Sequence, residues 1–116
     1  MASTTMIPRE RLAEYFEDFT KRFLRDGATE AVDVEVLNSE QGDQYVAEGA
    51  RLLGITYEPA GNVLEFELDS GDHRVVEPKE VWTVQEKDGF VSSIEVVRKD
   101  SAKEIVKVHR EGPRAT

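Results

Sequence analysis

The chain of 116 residues contains no cysteine. That excludes a disulfide scaffold, thiolate zinc sites and a cysteine nucleophile. Long apolar runs are also missing, and the longest extend over only a few residues. Nothing in the sequence therefore reads as a membrane span. Residues 1–6 have neither a basic start nor an apolar stretch, so they do not read as a signal peptide. Basic residues are in deficit, with 15 Lys and Arg against 24 Asp and Glu and a net charge of −9. Phosphate contacts supply most non-specific nucleic-acid affinity, so this balance disfavours nucleic acid as a partner. It also disfavours an anionic membrane surface.

What is present suits one soluble domain, since domains cluster at about 100–150 residues. Hydrophobic residues make up 39% of the chain, enough for a core without disulfides or metal. The acidic surplus fits a well-solvated cytoplasmic domain. A salty cytoplasm, where screening relieves self-repulsion, is the alternative.

Pro8 to Leu24 has the strongest helical pattern. Pro8 suits a first helical position, where its missing N–H costs nothing. Leu12, Phe16, Phe19 and Phe23 recur at spacings that make one apolar stripe. Lys21, Arg22 and Arg25 favour the negative end of the dipole, and Gly27 supplies a stop. After Gly27 the period changes to two. Val32, Val34 and Val36 alternate with Asp33 and Glu35, as on a half-buried strand. Further strands are expected at 52–57, 63–68, 73–76, 81–86, 91–98 and 103–109, with turns between them. Residues 43–50 fit either a strand or a helical turn, and Gly49 and Gly54 would permit a bend or bulge. Residues 1–6 and 111–116 read as disordered ends of a single domain spanning 7–110. The expected fold is α+β: an N-terminal amphipathic helix packed on a curved antiparallel meander of five to seven strands. Such a sheet can curl towards a small Sm-like or SH3-like barrel.

Candidate sites are few. Asp69, Asp72 and His73 share a turn and could approach a divalent cation, but Asp-Ser-Gly-Asp is also ordinary hairpin composition. No calcium-loop spacing accompanies it, so no metal site is assigned. His73 and His109 are the only imidazoles, and no Gly-x-Ser-x-Gly elbow supplies a nucleophile. Glu65 and Glu67 alternate with apolar residues and read as solvated. No phosphate loop is present, and no cofactor is implied. Trp82 lies between Val81 and Thr83; buried, it would be core, and exposed, it would mark a contact site.

Three stretches together carry a resemblance. The first is Ile7-Pro8-Arg9-Glu10-Arg11-Leu12, leading into Tyr15-Phe16 and Phe19. The second is Leu53-Gly54-Ile55-Thr56-Tyr57-Glu58-Pro59, followed by Leu64 to Leu68. The third runs from Asp72-His73 to Pro78, then through Ile94-Glu95-Val96 and Ile105 to Val108. Over about residues 6 to 110 the chain resembles an uncharacterised bacterial domain-of-unknown-function family. Its members are short acidic proteins opening with an Ile-Pro-Arg-Glu helix. That family usually carries a Trp near the position of Tyr15 and a shorter segment than Lys21 to Ala31. The resemblance implies no activity, so no functional residue is carried over.

The leading expectation is a non-enzymatic binding or accessory domain in the cytoplasm, monomeric or dimeric, with a protein or small-molecule partner. Exposure of Trp82 would favour it. The second expectation is a small-molecule or enzymatic site in the mouth of the curved sheet, built on Asp72, His73 and Arg74. The third is an Sm-like oligomer binding RNA through a rim of Arg22, Arg25 and Arg51.

Overall fold

The structure is a computed structural model that describes residues 2–24, 31–38 and 42–109. The expected stop at Gly27, the cation Arg25 and the 111–116 tail lie outside the described residues.

Eight strands form one antiparallel sheet. They are β1 (Ser3–Met6), β2 (Ala31–Asn38), β3 (Gly42–Glu58), β4 (Val63–Leu68), β5 (His73–Val76), β6 (Pro78–Gln85), β7 (Val91–Arg98) and β8 (Lys103–His109). The α+β class stands, but the strand count exceeds the expected five to seven. Residues 3–6 account for the excess: they are not a disordered end but pair with β6, from Ser3 opposite Gln85 to Met6 opposite Trp82. Residues 43–50 are strand, and they run on into 52–58 as one long element.

The spatial order is β1-β6-β7-β8-β2-β3-β4-β5. This is neither a meander nor a closed barrel, because β1 and β5 are both edges. Two features replace the meander. First, β2 pairs with the last strand, β8, as well as with β3. Second, β5 and β6 are joined by Glu77 alone yet take different neighbours. Glu77 holds a left-handed φ of 56°, unusual for a residue with a Cβ. Its N–H donates to the Asn62 carbonyl, and its carbonyl accepts from Lys99 N–H. Those bonds pin the corner at which the chain leaves one part of the sheet for the other.

The sheet consists of two arms sharing β3. The larger arm is β1-β6-β7-β8-β2 with the first half of β3; the smaller is the second half of β3 with β4 and β5. β3 bends where the partner changes. The register shifts between Val32 and Val34 opposite Ala50 and Ala47, between Val34 and Glu35 opposite Ala47 and Tyr45, and again between Leu52 and Gly54. Gly49 adopts φ 68°, and its N–H donates to Asp33 Oδ1 at 2.7 Å. An extra residue on one strand raises twist and bends the sheet.

The helix α1 (Leu12–Phe19) is shorter than the stripe suggests. A 3₁₀ turn over Arg9–Arg11 precedes it, and a π turn over Thr20–Leu24 follows. The widening begins at Thr20, whose hydroxyl is drawn to β3. It donates to the Ile55 carbonyl at 3.1 Å and accepts from Ile55 N–H at 3.0 Å. Leu12, Phe16 and Phe19 face inward, meeting Val32 and Val34 of β2, Ile94 and Val96 of β7 and Leu64 and Phe66 of β4 in one core. Full burial of a side chain such as Phe16 or Phe66 stabilises by about 2–3 kcal/mol. The inner face of the larger arm is thus covered by the helix and the smaller arm. Its outer face is not covered by any helix or strand among the described residues.

Candidate functional site

The junction between the arms holds the one carboxylate that is almost fully buried among the described residues. Glu104 lies on β8 and is 2% exposed. Strand alternation points it inward, in phase with Val106 and Val108, which are also buried. His73 on β5 donates from Nε2 to Glu104 Oε1 at 2.5 Å. Arg98, at the end of β7, donates from Nη1 to Glu104 Oε2 at 2.9 Å. The same guanidinium grips Asp100 through Nε at 3.1 Å and Nη2 at 2.5 Å. The His73 ring stacks on Phe66, with centroids 6.5 Å apart.

Electrostatics follow from this geometry. Burial pushes Glu104 up, but the hydrogen bonds from His73 and Arg98 outweigh it and hold the carboxyl below the usual glutamate range. The Arg98 fork holds Asp100 down to about 2, and Arg98 is raised in turn by Asp100 and Glu104. Both Glu104 oxygens are occupied, and Arg98 is shared by two carboxylates. The arrangement can tie β5 to β7 and β8; it does not present a nucleophile with an attendant base. A cleft of about 460 Å³ opens beside it, lined by Arg74, Val76, Glu77, Arg98, Lys99, Asp100 and Glu104.

The residues expected from the sequence separate here. His73 enters the buried network and Arg74 lines the cleft. Asp72 is exposed in the turn before β5. Asp69 serves the backbone, accepting from Arg51 N–H at 2.9 Å. Among the described residues no three His, Asp or Glu side chains are placed to hold a metal ion. Arg22 pairs with Asp18 on the helix surface, and Arg51 lies on β3. Glu104 was not singled out in the sequence, although a strand phase shared with two valines marks it as inward-facing.

Trp82 lies on the other side of the sheet. Register places Met6, Trp82, Glu95, Ile105, Glu35 and Tyr45 opposite one another across β1, β6, β7, β8, β2 and β3. This row crosses the whole outer face of the larger arm. Met6 is 45% exposed and Tyr45 55%, with Trp82 and Ile105 half-buried between them. A parallel row runs Glu80, Val97, Lys103, Leu37 and Asp43. Trp82 Nε1 donates to Glu80 Oε1 at 3.0 Å, which ties the indole to that second row. Lys103 bridges to Glu95 at 3.4 Å. Five carboxylates (Asp33, Glu35, Asp43, Glu80 and Glu95) lie on this face beside Lys103 and Lys107, and His109 pairs with Asp33 there. The surrounding acids raise the Tyr45 phenol, Glu35 most of all.

The fold and these two regions define a class: an open, bent antiparallel sheet with one helix inside and a broad apolar and acidic face outside. No helix among the described residues is long and apolar enough to cross a membrane. The chain belongs to DUF5335, a family of unknown function whose model matches residues 3–115. It is similar to an uncharacterised protein of Aquifex aeolicus, 36% identical over 107 residues that cover 91% of this chain and 92% of the relative. No solved structure matches.

Proposed function

We propose that this protein is a non-enzymatic binding module whose outer sheet face docks an extended, basic segment of a partner protein. The observation that carries the reading is the row Met6, Trp82, Glu95, Ile105, Glu35 and Tyr45, in which apolar and aromatic side chains are interleaved with carboxylates on an uncovered face. Trp and Tyr are residues that anchor interaction sites, and the carboxylates between them add charge complementarity to the same surface. The charge selects the occupant. Carboxylates repel phosphate and attract Lys and Arg, which points to protein rather than nucleic acid. A cytoplasmic setting is part of the same proposal.

Trp82 is the only tryptophan, so emission excited selectively from tryptophan reports on this face alone. The probes are three: a peptide alternating Lys and Val, its Glu-Val counterpart, and single-stranded RNA. The Lys-Val peptide should shift and change the Trp82 emission saturably. The Glu-Val peptide should not, and Ile105→Glu should abolish the response. A response to RNA instead, or none to the Lys-Val peptide, overturns the reading.

A second reading is favoured by Glu104, a buried carboxylate that borders the Arg74 cleft. In it, the cleft takes a small molecule, with Arg74 on its wall and His73 behind it through Glu104. A buried charged group costs stability, and function is one reason to keep it. If a screen of small carboxylates and amines gives no ligand that raises the melting temperature of the native chain but not of His73→Ala, this reading fails.

A further inference from the structure

We infer that the β1 edge is a seam at which two copies of this chain pair, antiparallel, into one continuous sheet. Three strand edges are open among the described residues, and they differ. The free side of the first half of β3 is interrupted by the bulge at Val46 and the left-handed Gly49, and it carries Asp43 and Glu48. β5 has four residues, includes Arg74, and ends at the Glu77 corner. Bulges, charges and shortness are the devices that keep an edge from pairing. β1 is equally short, but it has neither charge nor bulge. Ser3-Thr4-Thr5-Met6 runs in unbroken register with Trp82 to Gln85, and none of these residues is charged. In a chain with 34% charged residues, that is a neutral window on an acidic surface.

The backbone phase says which groups are free. Ile7 N–H donates to the Val81 carbonyl at 2.8 Å, so Ile7 and Val81 form a hydrogen-bonded pair. Antiparallel ladders alternate such pairs with non-bonded ones. Thr5 with Thr83 and Ser3 with Gln85 are therefore bonded pairs. Thr4 and Met6 turn their N–H and carbonyl groups away from β6, towards the open edge. A two-fold axis at Thr5 lets Thr4 of one copy exchange both bonds with Met6 of the other, and the reverse. Thr5 then faces its own symmetry mate, and cross-strand Thr pairs are favourable.

The occupant is a second copy because the edge is complementary to itself. Elsewhere two copies of net charge −9 would oppose like charges, whereas here none face each other. A four-residue seam is small, so the dimer is weak and depends on concentration. Salt screens the repulsion between the bodies without touching the seam, so the dimer tightens as KCl rises. An interface held by ion pairs would loosen instead.

The test is sedimentation of the full chain from micromolar to millimolar concentration, at low and high KCl. The average mass should climb from monomer towards dimer with concentration, and climb further in high salt. Thr4→Pro removes an outward-facing N–H at an edge position that accommodates the fixed proline φ, and should stay monomeric throughout, with native circular dichroism. Thr4→Val keeps the donor and should behave as wild type. Thr4→Lys leaves the backbone intact but puts two positive charges at the seam, and should weaken the dimer even if the proline variant folds poorly. A wild type that is monomeric under all conditions overturns the inference. So does a dimer that Thr4→Pro and Thr4→Lys leave unchanged, or one that high salt dissolves.

Discussion

Each of the two histidines meets a carboxylate, and both meetings involve β8. At the junction of the arms, His73 reaches Glu104, buried, with Arg98 on the other oxygen. At the far end of the strand, His109 reaches Asp33 at 2.7 Å, with the imidazole half exposed. The chemistry is the same; the surroundings are not. Water solvates His109 in the folded and unfolded chain alike, so its pairing exchanges one good partner for another. Glu104 has given up water, and only His73 and Arg98 replace it. Identical pairs therefore differ in what happens when one member is lost.

The largest expected effect is at the buried pair. Glu104→Ala strands His73 beside an emptied site and frees Arg98 Nη1, while Nε and Nη2 stay on Asp100. It should cost about 3 kcal/mol, read from urea unfolding monitored by circular dichroism. A loss below 1 kcal/mol would show that water enters the junction freely and would erase the contrast. Replacing Glu104 and His73 together by Leu sharpens it. Removing both partners in favour of apolar packing should recover most of the loss, because the desolvation penalty goes with them.

Next in size is the response to acid. The native network depresses the Glu104 pKa, so its contribution is present above the unfolded value of about 4.5 and is lost as pH falls through the folded value. The urea midpoint should therefore fall more steeply below about pH 4.5 in wild type than in Glu104→Gln. Parallel profiles would remove Glu104 from the acid limb. Asp33 is also held below the ordinary carboxylate range, first by the His109 hydrogen bond, so its contribution has the same sign. Its exposure makes that share small. The smallest effect is expected for His109→Ala, at about 0.5 kcal/mol or less by the same unfolding assay.

The two regions were not equally legible in the sequence. His73 drew notice as one of two imidazoles, yet its partner lies 31 residues away, on a strand it never follows in the chain. Glu104 left a trace, sharing phase with Val106 and Val108, but one charged residue at the start of a strand also reads as a frayed edge. Trp82 was noticed as the lone indole; the row that gives it meaning joins residues from six strands. Local period predicts which face of a strand is buried, and it did so for Val32 and Val34, and for Leu64, Phe66 and Leu68. It does not predict which strand lies beside which.

By itself, then, the sequence determined the class of the chain, the helix under its Phe stripe, most strand positions and the acidic balance that disfavours phosphate. These depend on composition and on interactions within a few residues. Tertiary structure alone decided that Ser3–Met6 becomes a strand, that β2 meets β8, that Glu77 turns the chain away from closing a barrel, and that Glu104 is buried against His73. The physical reason is common to all four: a backbone edge or a buried charge is satisfied by whichever partner the fold delivers, and that partner is distant in the chain.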